Sequence, residues 1–137
     1  MQLNNTTQYA IRMLSYMANR SDKLQNATEL SATLHIPYKF LTKIMTELVK
    51  ANFIISIRGR EGGYKLAKPA SEIMLLDILN QFGELIEENQ CILGIGTCDS
   101  EKKCSLHDQW VKPKEMMIKM FSETSLENLE GDEFKVC

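Results

Sequence analysis

Apolar residues recur at helical spacing in the first third of the chain, and they predict two helices before residue 36. Asn5 and Gln8 resemble a capping box that opens the first helix. Its apolar face is Tyr9, Ile11, Met13, Leu14, Met17 and Ala18. After a polar loop, Thr28 caps a shorter helix that presents Leu30 and Leu34. Both helices have one apolar face, so we expect them to pack on a shared core.

A third helix follows the break at Ile36-Pro37 and has two distinct faces. The apolar face consists of Phe40, Leu41, Ile44, Met45, Leu48 and Val49, and the polar face of Lys39, Thr42, Lys43, Thr46, Glu47 and Lys50. A short helix, a tight turn and a two-faced helix predict a helix-turn-helix, in which the second helix enters the major groove of DNA. The predicted DNA contacts on it are Lys39, Thr42, Lys43, Thr46 and Lys50.

A β-hairpin is predicted directly after these helices. The β-branched run 53–57 and the alternating run 64–67 flank the sequence Arg58-Gly59-Arg60-Glu61-Gly62-Gly63. A basic, glycine-rich hairpin in this place is the wing of a winged helix, whose arginines can reach phosphates or a narrow minor groove. The predicted DNA contacts of the wing are Arg58, Gly59, Arg60 and Tyr64.

The second half of the chain predicts two further helices around a cysteine segment. Ser71 caps one helix, which runs through Met74, Leu75, Ile78, Leu79 and Phe82. A later helix carries Trp110, Met116, Met117, Met120 and Phe121, and Pro113 is expected to kink or restart it. We expect the methionines and Phe121 to form a dimer surface, because one wing and one helix cover only a half-site. Thr124 with Glu127 offers a final cap.

The predicted fold is therefore mainly α with a small β-hairpin. A winged helix-turn-helix spans residues 1–68, and a helical dimerisation region with a cysteine loop at about 88–108 spans residues 69–137. Composition is ordinary for a globular protein, and no secretion signal or membrane span is evident, so we expect a cytoplasmic protein. Residues 1–68 carry ten Lys/Arg and four Asp/Glu, a charge of +6, whereas residues 69–137 carry six and fourteen, a charge of −8. The basic half suits DNA.

Three of the four cysteines and a histidine are grouped as Cys91-x6-Cys98-x5-Cys104-x2-His107. In a reducing cytoplasm such a group favours metal ligation over disulfides. Thiolates bind iron–sulfur clusters or zinc, and the spacing excludes neither, although the paired Cys-x2-4-Cys knuckle common in zinc sites is missing. Cys137 is interpreted as a terminal thiol without function, and His35 as structural. No catalytic triad, nucleotide-binding loop or paired catalytic carboxylates stand out, so we expect no enzyme.

Over nearly its whole length the sequence resembles the IscR/NsrR-type family of redox-responsive bacterial regulators. The resemblance rests on the start Met1-Gln2-Leu3 into Tyr9-Ala10, the helix 38–48, the wing 56–64 and the cysteine triplet, in that order. It implies a homodimer with one cluster per subunit, a wing arginine at Arg58, and no small-molecule substrate. The sequence around His107 and Trp110 looks most like the iron–sulfur biogenesis branch, which implies a 2Fe-2S cluster on Cys91, Cys98, Cys104 and His107.

Three positions depart from that pattern. Six residues separate Cys91 from Cys98, where five are more familiar. Gln8 stands where the nitric-oxide-sensing branch has an acidic cluster ligand, which argues against that ligation, although a 4Fe-4S cluster stays possible. Thr42 replaces an acidic residue of the biogenesis regulator, so its operator preference does not transfer.

The resulting hypothesis is a DNA-binding repressor or activator, gated by a cluster that responds to redox state, nitric oxide or cluster supply. The alternative is a cluster-free, zinc- or thiol-based regulator that acts with a protein partner.

Overall fold

A computed structural model describes residues 2–84 and 91–129 of the chain. Five α-helices and one hairpin follow each other as α1 (Asn5–Ala18), α2 (Ala27–Leu34), α3 (Tyr38–Lys50), β1 (Ile54–Ile57), β2 (Gly63–Leu66), α4 (Leu75–Gln81) and α5 (His107–Glu123). Short 3-10 helices lie at Ala70–Glu72 and Leu126–Leu129. The prediction of a mainly helical winged helix-turn-helix is confirmed. In the described ranges no helix has the length and apolar character needed to cross a membrane.

One hydrophobic core joins the helices of both halves of the chain. Met13 of α1, Leu30 of α2 and Leu48 of α3 are fully buried, and Ile78 of α4 and Leu126 of the last 3-10 helix join them. Burying one such side chain contributes roughly 1.5–3 kcal/mol. The helix-turn-helix is thus packed on the C-terminal elements that flank the cysteine segment.

The helix caps differ by one or two residues from those predicted. Asn4, not Asn5, caps α1 by accepting a hydrogen bond from the Thr7 N–H at 2.9 Å. Asn26, not Thr28, caps α2 by accepting from the Glu29 N–H at 2.8 Å. Asn and Thr are both good caps, and only the extended backbone at Asn4 and Asn26 decides between the neighbours.

The predicted boundaries in the second half also change. Ser71 lies in the 3-10 helix, and α4 begins after Met74, whose N–H donates to Asp77 at 3.2 Å. Thr124 ends α5 instead of opening a new helix, because its backbone is extended. Its hydroxyl donates to the Met120 carbonyl at 2.7 Å. Asn128 then accepts from the Ser125 N–H at 2.9 Å.

Pro113 does not interrupt the last long helix. Helix α5 is continuous from His107 to Glu123 with Pro113 inside it. Proline removes the hydrogen bond that its own N–H would give to the carbonyl four residues earlier. Both Pro113 and Gln109 are exposed, so water can satisfy that carbonyl. The expected restart of the helix at Pro113 was therefore wrong.

Two apolar positions differ in burial from the prediction. Phe40 is 57% exposed and lies outside the buried stripe of α3. Phe121 is buried in the core at 7% exposure, so it belongs to no free dimer surface. Met116 and Met120, by contrast, are 65% and 52% exposed on α5.

Candidate DNA interface and metal centre

The turn between α2 and α3 sets the position of the helix predicted to contact DNA. His35 ends α2 in the left-handed conformation, at φ 54°. Ser31 then clamps the turn, because its hydroxyl donates to the Ile36 carbonyl at 2.7 Å. Arg12 of α1 donates to the Leu34 carbonyl at 2.6 Å and satisfies the end of α2. These contacts account for His35 as a structural residue.

The five residues predicted on α3 form one surface, which we call the reading face: Lys39, Thr42, Lys43, Thr46 and Lys50. At about 100° per residue they fall within roughly 100° of the helix circumference. The three lysines and Thr46 are exposed, and Thr42 is half-buried. The buried residues of the same helix, Leu41, Ile44, Met45 and Leu48, lie on the opposite side. The core therefore holds α3 with the reading face toward solvent.

One ion pair and two hydrogen bonds within α3 already occupy part of the hydrogen-bonding capacity of the reading face. Lys50 lies 3.8 Å from Glu47 in an exposed ion pair, which is a weak interaction that a phosphate can replace. The hydroxyls of Thr42 and Thr46 donate to the carbonyls of Lys39 and Thr42. The lysines consequently carry most of the freely available donor capacity of this face.

The hairpin is antiparallel, with Ile54 opposite Leu66 and Ile57 opposite Gly63. Arg58, Gly59 and Arg60 are exposed at its tip. Tyr64 is different, because its ring is half-buried and packs against the core. The two arginines are thus exposed to solvent, whereas Tyr64 packs the hairpin against the core.

Two glycines are required by the close packing of this hairpin. A Cβ atom at Gly62 would lie 2.2 Å from the Ile57 carbonyl oxygen, and one at Gly63 would lie 2.8 Å from the Gln25 carbonyl oxygen. Gln25 and Tyr64 exchange two backbone hydrogen bonds of 2.9 and 2.8 Å. The loop before α2 therefore braces the wing, a contact that sequence reasoning missed.

Of the cysteine loop predicted at about 88–108, residues 88–90 lie outside the described residues, and the name is kept below for residues 91–106. These residues and His107 bring the four predicted ligands together. Cys91, Cys98, Cys104 and His107 all line one small cavity of about 20 Å³. The Cys91 and Cys104 sulfurs are 3.8 Å apart, and the Cys98 sulfur lies 3.4 Å from His107 Nδ1. The three thiols are free. Cys137 lies outside the described residues.

The donors meet as two pairs and do not form a single cage. Among residues 2–84 and 91–129, no group of three or more His, Cys, Asp or Glu side chains is gathered as one metal ion requires. A single tetrahedral zinc ion would need all four ligands around one point. A 2Fe-2S cluster has two iron atoms, each of which takes two protein ligands. The donor chemistry and the pairing fit that cluster better than zinc.

The backbone around Cys91 favours its thiolate form. Hydrogen bonds from the backbone of Leu93 and Ile95 hold the pKa of Cys91 below its usual value, against the opposing effect of burial. The chain wraps the sulfur because Gly94 and Gly96 adopt φ values of 68° and 77°. These amide groups are a feature that sequence reasoning missed, although the Gly-x-Gly spacing was a signal for them.

His107 connects the cysteine loop to α5, since it is the first residue of that helix and is 8% exposed. Lys103 of the loop forms an ion pair of 2.9 Å with Asp108. The hydrogen bond and charge of Lys103 hold the pKa of Asp108 below its ordinary value. At its other end α5 contributes Phe121 to the hydrophobic core, so this helix connects the donor set to the core on which the helix-turn-helix packs.

A helix-turn-helix with a braced wing and an outward basic face defines a DNA-binding transcriptional regulator of the winged-helix class. A family model described as Rrf2, iron-dependent transcriptional regulator, matches residues 3–132. The chain belongs to the Rrf2 family of transcriptional regulators. Its relatives are regulators, and the expectation that it is not an enzyme is confirmed.

Individual relatives agree with this assignment. The transcriptional regulator NsrR of Oceanobacillus iheyensis is 34% identical, over 97% of this chain and 92% of that protein. Among solved structures, CymR, the global cysteine regulator of B. subtilis, has a TM-score of 0.80 at 18% identity, covering 94% and 95% of the two chains. IscR of T. potens has a TM-score of 0.74 at 16% identity, covering 94% and 85%. The two structures establish the fold.

Proposed function

We propose that this regulator binds a DNA operator through the reading face and the wing, and that an iron–sulfur cluster on Cys91, Cys98, Cys104 and His107 controls this binding. The observation that carries the proposal is the convergence of three thiols and an imidazole on one cavity, at spacings of 3.8 and 3.4 Å. The iron dependence of the family supports a cluster, and the two-pair arrangement supports 2Fe-2S.

The cluster supplies redox and nitric-oxide sensitivity when it is bound. The chain's own residues convert its presence into a change at the DNA surface. Cys91, Cys98 and Cys104 fix the loop, and His107 fixes the first turn of α5. Because Phe121 of α5 shares the core with α1, α3 and α4, the position of α5 can bias the orientation of the reading face. Without a bound cluster the four donors would no longer be held together, and the cysteine loop and the first turn of α5 would be released.

DNA recognition follows from the charge and exposure of the proposed contacts. Lys39, Lys43 and Lys50 on α3 and Arg58 and Arg60 on the wing are exposed cations on the basic half of the chain. Lysine and arginine contacts to phosphate release counterions and give salt-dependent affinity. Thr42 and Thr46 lie beside the lysines on the same face and are the candidates for contact with base edges.

The proposal includes a homodimer. Met116 and Met120 lie one helical turn apart on α5 and are the most exposed large apolar side chains of that helix. A symmetric pair would place two reading faces on two half-sites. Sedimentation measurements should show a dimer at micromolar concentration, and a monomer at all concentrations would contradict this part.

The control of DNA binding is tested with a duplex selected from a random-sequence pool by the cluster-loaded protein. Its affinity is measured before and after the cluster is destroyed with a nitric oxide donor. We expect a change of about tenfold, within the usual range of allosteric coupling. The variant Cys98→Ala, treated in the same way, should show no change. Equal affinity of loaded and cluster-free wild-type protein would refute the control by a cluster.

A second candidate function is a thiol switch without a cluster. The 3.8 Å between the Cys91 and Cys104 sulfurs is short enough for a disulfide after a small shift, and the CymR structure shows that this fold also serves a cysteine regulator. Peroxide would take two electrons and two protons from the thiols and leave a disulfide and water. Protein free of iron that forms this bond under peroxide, with altered DNA affinity, would favour this candidate.

A further inference from the structure

The two donor pairs have the spacing of ligands on separate metal atoms. A tetrahedral metal with sulfur at about 2.3 Å and imidazole nitrogen at about 2.0 Å places two sulfurs about 3.8 Å apart, and a sulfur and a nitrogen about 3.5 Å apart. The observed distances are 3.8 Å for Cys91 with Cys104 and 3.4 Å for Cys98 with His107. Each pair matches one metal atom, and within the described chain no third donor joins either pair as a single ion would require.

The two pairs differ in their surroundings. Cys91 is buried, at 5% exposure. Cys98 and His107 border two spaces, because they line the small cavity shared by all four donors and also an open cleft of about 530 Å³ beside α5. Cys91 and Cys104 do not line that cleft. A molecule in the cleft would therefore meet Cys98 and His107 first.

The cleft has the size to admit small donor molecules. Its walls combine the apolar Val111 and Ile118 with the charged Lys114, Glu115 and Lys119. A space of several hundred Å³ is within the usual range for small-ligand sites. The lining residues recur along α5 from His107 to Ser122, which makes the cleft a groove on one side of the helix.

We propose that Cys91 and Cys104 hold one iron as an anchoring pair, and that Cys98 and His107 hold the other as an exchangeable pair, open to small donor molecules through the α5 cleft. This inference rests on the proposed cluster function and adds which donors act together and where a signal molecule arrives. If an iron–sulfur cluster is bound, a small thiol that reaches this pair would replace the His107 imidazole as a donor, and the thiol proton would pass to that imidazole, with no transfer of electrons.

The access of small donors is tested by chemical rescue. The variants Cys98→Gly, His107→Gly, Cys91→Gly and Cys104→Gly are reconstituted without oxygen, with 2-mercaptoethanol offered to the cysteine variants and imidazole to His107→Gly. Visible absorbance and bound iron and sulfide are measured. We expect rescue to raise cluster retention about tenfold in Cys98→Gly and His107→Gly and little in the other two. Losing a group that supports a metal site typically lowers metal affinity by about tenfold or more. Equal rescue of all four, or rescue of Cys91→Gly alone, would overturn the inference.

The pairing is tested separately by Mössbauer spectroscopy of the one-electron-reduced, iron-57 protein. Nitrogen ligation raises the potential of an iron, so the electron is expected on the iron bound by His107. The variant Cys98→Ser should change the ferrous signal and leave the ferric one, and Cys104→Ser should do the opposite. The unchanged signal in each spectrum serves as the control for an intact fold. The reverse pattern would disprove the pairing.

These outcomes separate the inference from the function on which it rests. Wild-type protein that takes up no cluster would refute both the proposed function and the pairing. Wild-type protein that holds a cluster but shows equal rescue or the reverse Mössbauer pattern would refute only the pairing and the access route.

Discussion

Leu30, Leu34, Leu41 and Leu48 of the helix-turn-helix are fully buried, whereas Ile92, Leu93 and Ile95 of the cysteine loop are 50%, 46% and 70% exposed. The first region is shaped by apolar burial, which operates whether or not a ligand is present. The second has little apolar burial and is held by a few backbone hydrogen bonds and by the meeting of its donors. A loop of this kind gains most from a metal, because binding energy then replaces the missing core.

The largest expected difference between the regions is the effect of removing one donor. In Cys98→Ala we expect loss of nearly all bound iron and sulfide, because one iron is left with a single protein ligand. The melting temperature of the cluster-free protein should move by no more than about 2 °C, since the loop contributes little to the core. Iron analysis and circular dichroism measure the two effects.

Cys137→Ala is the matched control for this variant, because Cys137 was excluded from the site on sequence grounds. It should retain iron like the wild type. Loss of iron in both variants would contradict the assigned ligand set. A large fall in melting temperature for Cys98→Ala would show that the loop contributes to the stability of the core.

Substitutions in the core, unlike those in the loop, should lower the free energy of unfolding of the cluster-free protein. Leu48→Ala should reduce the free energy of unfolding by about 2–5 kcal/mol, because it removes a fully buried side chain and leaves a cavity. Ile95→Ala, at 70% exposure, should change it by less than about 0.5 kcal/mol. Urea denaturation of the cluster-free proteins compares them, and similar losses in both would show that the loop is part of the core.

The wing should be sensitive to backbone shape as well as to charge. Gly62→Ala should lower DNA affinity and also reduce stability by about 1–3 kcal/mol, because its Cβ would lie 2.2 Å from the Ile57 carbonyl oxygen. Arg58→Ala is the control that changes charge alone, and it should lower affinity at unchanged stability. Equal stability of the two variants would contradict the tight packing of the hairpin.

The reading face is expected to give a moderate, salt-dependent effect. Lys43→Ala and Arg58→Ala should each weaken binding to the selected duplex, and each should reduce the slope of log affinity against log salt by about one if the residue contacts phosphate. Lys112→Ala, an exposed lysine of α5, serves as the charge-matched control. Unchanged binding by both test variants would overturn the proposed DNA surface.

The smallest expected effect concerns the Cys91 thiol. Its pKa is lowered by backbone hydrogen bonds, so the thiolate should persist at a lower pH in the folded protein than in the unfolded chain. A lowered folded-state pKa contributes stability above the unfolded pKa, and this contribution is lost as the pH falls through the folded value. The ultraviolet thiolate absorbance of cluster-free wild type minus that of Cys91→Ser measures the midpoint, and a midpoint at or above that of the same thiol in the denatured protein would contradict the lowered pKa.

The helix-turn-helix could be predicted because its signals are local. Leu30, Leu34 and Leu48 recur at helical spacing, and the glycines of the wing mark a turn. The caps were misplaced because Asn4 and Asn5, or Asn26 and Thr28, are chemically similar, and backbone conformation alone distinguishes them. Phe40 was misjudged because it lies at the edge of the apolar stripe, where burial depends on a neighbouring element.

The ligand set of the metal centre could be proposed from Cys91, Cys98, Cys104 and His107, but their pairing could not. Pairing depends on the path of the chain through Gly94 and Gly96, which both take positive φ values. The cleft beside α5 was partly foreseeable, because residues 107, 111, 114, 118 and 122 recur at helical spacing. That they border the donors follows only from His107 being the first residue of α5.

The central claim is that the cysteine loop holds an iron–sulfur cluster. The most direct test is the visible absorbance, iron and acid-labile sulfide of protein purified without oxygen. We predict a coloured protein with about two iron atoms and about two sulfides per chain. Colourless protein that contains no iron and takes up no cluster on reconstitution, or protein with stoichiometric zinc in its place, would contradict the claim.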